Sequence, residues 1–231
     1  VIRKNRPVAD MVAVTVEAVG ANWNHPSSAS PDAVAGQRAA HPVEGTTVRP
    51  GSGEALRVNQ VAIVDGTPAP TRDHRTGAEA AERVRKHDVT GMIEFVPLDL
   101  ADLDSVAAFS ETFTGAHDRL DVLVNNAGVM WPPLMRTAPG FESQFGTNHL
   151  GHFALTGRLL PQLLRTPGSR VTTATSLARS VGRIDFDDLG WERRSYSPGN
   201  AHGQSKLANT MFVLELDRRL RAAGSDVVAT A

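Results

Sequence analysis

The sequence predicts an α/β protein with a doubly wound parallel sheet, incomplete at both ends. Three observations predict it. Strand-like and helix-like patterns alternate from about residue 76 to the end, the strand-like runs are short and nearly all apolar, and each pair is separated by enough chain for a helical crossover. A near-continuous run such as residues 120–124 (LDVLV) suits a parallel strand covered on both faces.

Taken in order, residues 12–16 and 58–64 read as strands, and residues 22–31 and 41–53, rich in Pro, Gly, Ser and Asn, read as loops. Residues 78–87 carry Ala, Glu and Arg without breakers and predict a helix; residues 92–98 predict a strand. Asp102 is placed to cap the next helix, whose Leu103, Val106, Phe109 and Phe113 recur three or four apart as one apolar stripe. A strand at 120–124 follows, then a long helix through Phe141, Phe145, Leu150, Phe153, Leu159 and Leu163. Residues 170–176 predict a strand, 199–223 a helix and 226–230 a last strand.

A length of 231 residues suits one domain of this class. The formal charge of −1 argues against a nucleic-acid binder. The absence of cysteine excludes disulfides, thiolate metal sites and cysteine nucleophiles. Composition changes near residue 70: before it stand one leucine (Leu56), no phenylalanine and half of the 14 prolines, and after it all eight phenylalanines. Residues 1–70 are therefore expected to bury little and to form an atypical N-terminal segment. The apolar run at 8–21 is short and carries Asp10 and Glu17, so no targeting or membrane segment is expected and a cytoplasmic place is. The first residue is Val, as in a trimmed chain or a fragment.

Four stretches carry chemistry: Pro97-Leu98-Asp99-Leu100, Asn125-Asn126-Ala127-Gly128, the run from Phe145 to Phe153 (FGTNHLGHF), and Ser205-Lys206-Leu207-Ala208-Asn209. Asp99 and Asn126-Ala127-Gly128 end neighbouring strands, where ligands of such a sheet bind. A carboxylate at 99 could accept from an adenine amino group, and glycine at 128 lets backbone approach a ribose. A helix-entry cap at Asp99 and a plain turn at 125–128 explain each motif singly about as well; together, at adjacent strand ends, they favour a cofactor.

In kind, order and spacing the four stretches resemble the short-chain dehydrogenase/reductase family, on its retinol-dehydrogenase-like and WW-domain-oxidoreductase-like branch, over about residues 71–231. The resemblance implies a Rossmann-type sheet, NADP or NAD as cofactor, and hydride transfer between nicotinamide and a small-molecule alcohol or carbonyl. It implies that residues 1–70 stand in place of a first strand, glycine loop and helix, and that residues 71–231 are a Rossmann-type domain truncated at the C-terminus. It also implies a catalytic set of Asn148, Ser176, Lys206 and the residue at position 202. Ser176 would orient the substrate oxygen, Lys206 would bond the nicotinamide ribose and depress the acid's pKa, and Asn148 would support a proton relay. Asp99, Leu100, Asn126, Ala127, Gly128 and Lys206 would contact the cofactor. Members often form dimers or tetramers, so a homo-oligomer is expected from the resemblance.

Three departures stand out. Where the family has tyrosine this chain has His202, four residues before Lys206 and so on the same helix face. A phenol, with a reference pKa of about 10, is drawn toward neutrality by an ammonium; imidazole starts at about 6.5 and is pushed lower, so it is mostly neutral at pH 7. Loss of a general acid costs on the order of 10²–10⁴ in rate, which opens a second reading: a catalytically silent remnant, or a nucleotide-binding or interaction module. Next, the glycine fingerprint is matched only in part by Thr46-Thr47-Val48-Arg49-Pro50-Gly51-Ser52-Gly53. The spacing from Gly53 to Arg72 resembles that to the family's 2′-phosphate-binding arginine, which favours NADP over NAD, although a loop arginine beside Asp73 fits nearly as well. Length is kept while hydrophobic pattern is lost, as a shifted reading frame up to about residue 70 would produce. Last, the chain stops at Ala231, where the family's substrate loop would follow.

Two further features read plainly. His149 and His152, three apart, lack a third ligand and are expected to pack rather than bind metal. Arg193-Arg194 and Arg218-Arg219 are expected to be solvated pairs. Tyr196, the single tyrosine, is placed in the loop before the last helix.

Overall fold

The computed structural model describes residues 12–17, 60–65 and 92–231. Six strands, β1 (Val12–Glu17), β2 (Gln60–Asp65), β3 (Met92–Phe95), β4 (Val122–Asn125), β5 (Arg170–Thr173) and β6 (Val228–Thr230), form one sheet in the order β3-β2-β1-β4-β5-β6. Every pairing is parallel; Ala13 stands opposite both Val61 and Val122, and Arg170 opposite both Val122 and Val228. The order reverses direction between β1 and β4, which opens a crevice outside their carboxyl ends, the usual ligand position in doubly wound sheets. The expected strands at 12–16 and 58–64 are thus members of the sheet. The helix expected at 78–87, Arg72 and the 46–53 stretch lie outside the described residues. A glycine fingerprint belongs directly after the first strand, and the five residues following Glu17 (AVGAN) contain one glycine.

Strand lengths follow from local chemistry. β3 ends at Phe95, short of the expected residue 98, because Pro97 has no amide proton for a ladder and holds its predecessor extended. Helix α1 (Leu103–Ala116) starts where Asp102 accepts from the Asp104 amide, as expected, and buries Val106, Phe109 and Phe113. The long helix expected from Phe141 onward is broken into a single turn α2 (Ser143–Phe145), a π-helical turn Gly146–Gly151, and α3 (His152–Arg165). β5 stops at Thr173, and Ser176 caps a short 3₁₀ turn, Leu177–Ser180. Helix α4 (Pro198–Ala222) begins with Ser197 as cap and proline in its first turn.

The main core lies between α1, α3 and one face of the sheet: Val106, Phe109 and Phe113 meet Leu155, Leu159, Leu163, Leu123 and Val171, all fully buried or nearly so. Each such side chain contributes about 1.5–3 kcal/mol by leaving water. A smaller cluster of Val213, Leu220, Val227 and Ala229 fastens α4 to β6. With both α3 and α4 held by their apolar faces, the polar starts of these helices are fixed at the carboxyl edge of the sheet.

Candidate functional site

The π-helical turn aims Asn148 at the segment that leaves β4. Its Oδ1 accepts the Val129 amide at 2.7 Å, and its Nδ2 donates to the Val129 carbonyl at 3.0 Å and to Ser205 Oγ at 3.1 Å. Ser205 Oγ in turn donates to the His202 carbonyl at 2.8 Å. One buried amide thus ties the β4 edge to the turn of α4 that carries His202. A Cβ at Gly128 would stand 2.9 Å from Asn148 Oδ1, so the close approach that demands glycine here is to this amide. Gly151, three residues on, has a matching reason: a Cβ there would collide with the Leu100 carbonyl. The spacing Asn148-x-x-Gly151 therefore seats the helix at once on the two segments that leave β3 and β4.

The neighbouring positions are distributed as follows. Asp99 Oδ1 accepts the Ala101 amide at 2.8 Å and its own amide donates to Ser105 Oγ at 2.9 Å, so it shapes the turn into α1, and Leu100 is buried. Asn125 Nδ2 bonds Thr156 Oγ1 at 2.9 Å and Thr173 Oγ1 at 3.3 Å, Ala127 is buried, and Asn126 is exposed at the crevice. Ser176 Oγ accepts the Ala178 amide at 3.2 Å. The chain after Ser176 presses on α4 where two glycines meet: a Cβ at Gly203 would come within 2.9 Å of the Ala178 carbonyl, and one at Gly182 would strike Gly203 itself. Ser176 and His202 are thereby held on adjoining stretches of backbone. Arg72 is not among the described residues.

Lys206 is 7% exposed. Its Nζ donates to the Ala174 carbonyl at 3.2 Å, an acceptor shared with Asn209 Nδ2, and no carboxylate pairs with it among the described residues. Burial pushes its pKa down. Thr175, one residue before Ser176 in the β5 extension, donates from Oγ1 to the Lys206 carbonyl at 3.3 Å and so holds this turn of α4 against it. His202, also buried, has an Nδ1 with no partner. Burial first, then the Lys206 charge, hold its pKa below that of free imidazole, against the Val129 carbonyl beside the ring. His152 lies behind this pair, fully buried, with Nδ1 3.0 Å from the Asn148 carbonyl and Nε2 unpartnered. Burial lowers its pKa to about 4. His149 instead bonds Asn209 Oδ1 at 3.1 Å, and among the described residues no three metal-ligating side chains gather.

Several residues escaped the sequence reading. Gln144, fully buried, donates from Nε2 to Tyr196 OH at 3.1 Å and to the Pro198 carbonyl at 2.9 Å, while its Oε1 accepts the Trp131 amide at 3.1 Å. Tyr196 OH donates to Glu142 Oε1 at 2.9 Å; burial and the Glu142 charge raise its pKa, so it is no substitute acid. Arg194 corrects an expectation. Rather than being solvated, its guanidinium lies 3.7 Å over the Trp191 ring, 3.4 Å from Asp188, and bonds Gln204 Oε1 at 2.9 Å. A residue type alone does not show this, because Trp191 and Gln204 meet Arg194 only in the fold. Arg218 and Arg219 are exposed partners of Glu215, as expected.

No helix among the described residues is long and apolar enough to cross a membrane. The sequence profile of the short chain dehydrogenase family matches residues 68–187. Human retinol dehydrogenase 13 is 44% identical over 158 residues, 68% of this chain and 48% of that protein, so the chain spans about half the length of the retinol dehydrogenases it matches. A crystal structure of an uncharacterised protein from Mycobacterium paratuberculosis shares 46% identity and superposes with a TM-score of 0.61, covering 73% of this chain and 57% of that one. A metagenomic short-chain oxidoreductase solved with NADP has the same fold at 22% identity and a TM-score of 0.54, covering 74% of this chain and 69% of that one. With half of its length matched by the profile, and with the parallel sheet and Asn148 turn just described, this chain belongs to the short-chain dehydrogenase family, on its retinol-dehydrogenase-like side.

Proposed function

We propose that the chain is the nucleotide-binding and catalytic part of an NAD(P)-dependent oxidoreductase acting on an apolar alcohol or aldehyde. The observation that carries this reading is Lys206: a buried ammonium with one carbonyl acceptor and no counter-ion among the described residues, beside Ser176 and His202 at the carboxyl edge of β4 and β5. A buried charge so sparsely bonded is costly to the fold and calls for further hydrogen-bond acceptors, which ribose hydroxyls supply. The residues present fit a nicotinamide dinucleotide on that ground. Lys206 would hold its ribose, Asn126, Ala127 and Gly128 would flank it at the β1/β4 crevice, Asp99 and Leu100 would border the adenine, and Arg72 would favour the phosphorylated form. When bound, the nicotinamide accepts or supplies the hydride.

The chain's own residues handle the proton. Ser176 orients the substrate oxygen, and His202 stands at the acid/base position with Lys206 one turn away. Neutral imidazole accepts a proton from an alcohol readily but is a poor donor to a carbonyl, so aldehyde reduction at pH 7 is slow and rises as pH falls. The same substitution supports the second reading, a nucleotide-binding module without turnover. NADPH titration followed by nicotinamide fluorescence, then an aldehyde-reduction assay, separates them. Binding with turnover supports the enzyme, binding alone the module, and the absence of both the catalytically silent remnant.

A further inference from the structure

Three buried side chains near the start of α3 have hydrogen-bonding capacity that the fold leaves unused. His152 lies with its Nδ1 3.0 Å from the Asn148 carbonyl. A carbonyl only accepts, so in the neutral ring Nδ1 carries the proton and Nε2 is a bare acceptor, and that acceptor has no partner. Asn125, equally buried, donates from Nδ2 to Thr156 Oγ1 and Thr173 Oγ1, while its Oδ1 has no partner. Lys206 has three ammonium protons and gives one to the Ala174 carbonyl. Two acceptors therefore want donors, and one cation wants acceptors.

The fold brings the three together. Thr156, which Asn125 bonds, stands one turn after His152 on α3 and so on the same face. Thr173, the other partner of Asn125, precedes Ala174, whose carbonyl holds Lys206. Between the helices, Asn148 bonds Ser205 and His149 bonds Asn209, each at 3.1 Å, which lays the stretch of α4 that contains Lys206 against the start of α3. Burial first, with the Lys206 and His149 charges added, keeps the His152 ring neutral against the Asn148 carbonyl. His149 is itself taken by Asn209, and His202 lies beside the Val129 carbonyl, so neither supplies the missing partner. A buried water, which typically makes about three hydrogen bonds, has the required valence: it can accept one proton and donate two.

We propose that Lys206 Nζ, His152 Nε2 and Asn125 Oδ1 form a binding site for one internal water molecule, which accepts from the ammonium and donates to the two acceptors. Two of the three ammonium protons are then held on the protein side, by this water and by Ala174, and the third is left for the crevice. His152 is in this way a positioning residue for Lys206. That the third proton serves a ribose rests on the oxidoreductase reading above; the water site is tested without nucleotide.

The chain has three lysines, Lys4, Lys86 and Lys206, so side-chain NMR can follow the titration of each. His152→Phe keeps a ring and removes the acceptor, and Lys206 is expected to lose its proton at about tenfold higher proton concentration than in wild type. His152→Gln retains an acceptor and should stay within about threefold of wild type. In the wild-type chain, the ¹⁵N resonances of His152 should show a protonated Nδ1 and an Nε2 lone pair that accepts a hydrogen bond, a measurement that requires no variant. The proposal is overturned if Lys206 titrates alike in wild type and His152→Phe, or if His152→Gln falls as far as His152→Phe. It is equally overturned if wild-type Nε2 is protonated or free of any hydrogen bond. A chain that meets these expectations but binds no NADPH sinks the oxidoreductase reading instead.

Discussion

Two buried polar groups flank the start of α4, and they differ in one respect. Around Glu142, Gln144 and Tyr196 every side-chain polar atom is bonded: the Glu142 carboxylate takes the Gln144 amide at 2.9 Å, the Phe145 amide at 2.7 Å and the Tyr196 hydroxyl at 2.9 Å. Around Lys206, two ring nitrogens have no partner, His202 Nδ1 and His152 Nε2, and the ammonium has one carbonyl acceptor. Folding alone does not select for the second arrangement, since an unmade buried hydrogen bond costs about 1–3 kcal/mol. The satisfied group holds the architecture; on the proposed function, the unsatisfied one serves a ligand.

Substitutions can sharpen or break that contrast. The largest effect is expected at His202, where His202→Tyr restores a phenol beside Lys206 and should raise aldehyde reduction by about 10²–10⁴, read as NADPH consumption at pH 7. Unchanged turnover with NADPH still bound would remove His202 from the proton step.

Next comes pH. His152 has a folded pKa of about 4 against about 6.5 unfolded, so the unfolded state takes up a proton first as pH falls. Stability from this residue is fully present above pH 6.5 and drains away between pH 6.5 and 4, by up to about 3 kcal/mol. Urea unfolding of wild type and His152→Gln across that window should give a steeper loss for wild type; equal slopes would show that the buried imidazole is not held neutral.

Smaller changes test the packing. Gly128→Ala places a methyl 2.9 Å from an Asn148 oxygen whose position is fixed by three hydrogen bonds, and should cost about 1–3 kcal/mol by thermal denaturation. Tyr196→Phe should cost about 1–2 kcal/mol, by leaving Glu142 and Gln144 each short of a partner, while NADPH affinity stays as it was. A larger fall in affinity than in stability at Tyr196 would blur the division between the two groups.

Much of this was legible in the residues. The α1 stripe of Val106, Phe109 and Phe113 and its Asp102 cap formed as read, because both depend on neighbours within one or two turns. Sheet membership of residues 12–17 and 60–65 was also visible as apolar runs, whereas their place at the centre of the strand order depends on pairing across the chain. The break of the long helix at Gly146–Gly151 was not visible, since its cause is distant: Gly146 and Gly151 admit Thr137 and Leu100 against the helix. The roles of Gln144 and Arg194 stayed hidden for the same reason. Asn148, Ser176, His202 and Lys206 were singled out by the family resemblance, but the Asn148 amide bonds Val129 and Ser205, a use that spacing does not reveal.

The account turns on Lys206, and one paired measurement tests it: NADPH affinity and melting temperature of wild type and Lys206→Met. If the buried ammonium serves a ligand, the variant binds NADPH at least about tenfold more weakly and melts at the same temperature or higher, because a sparsely bonded charge has left the interior. Equal NADPH affinity together with a lower melting temperature would assign Lys206 to the fold and contradict the account.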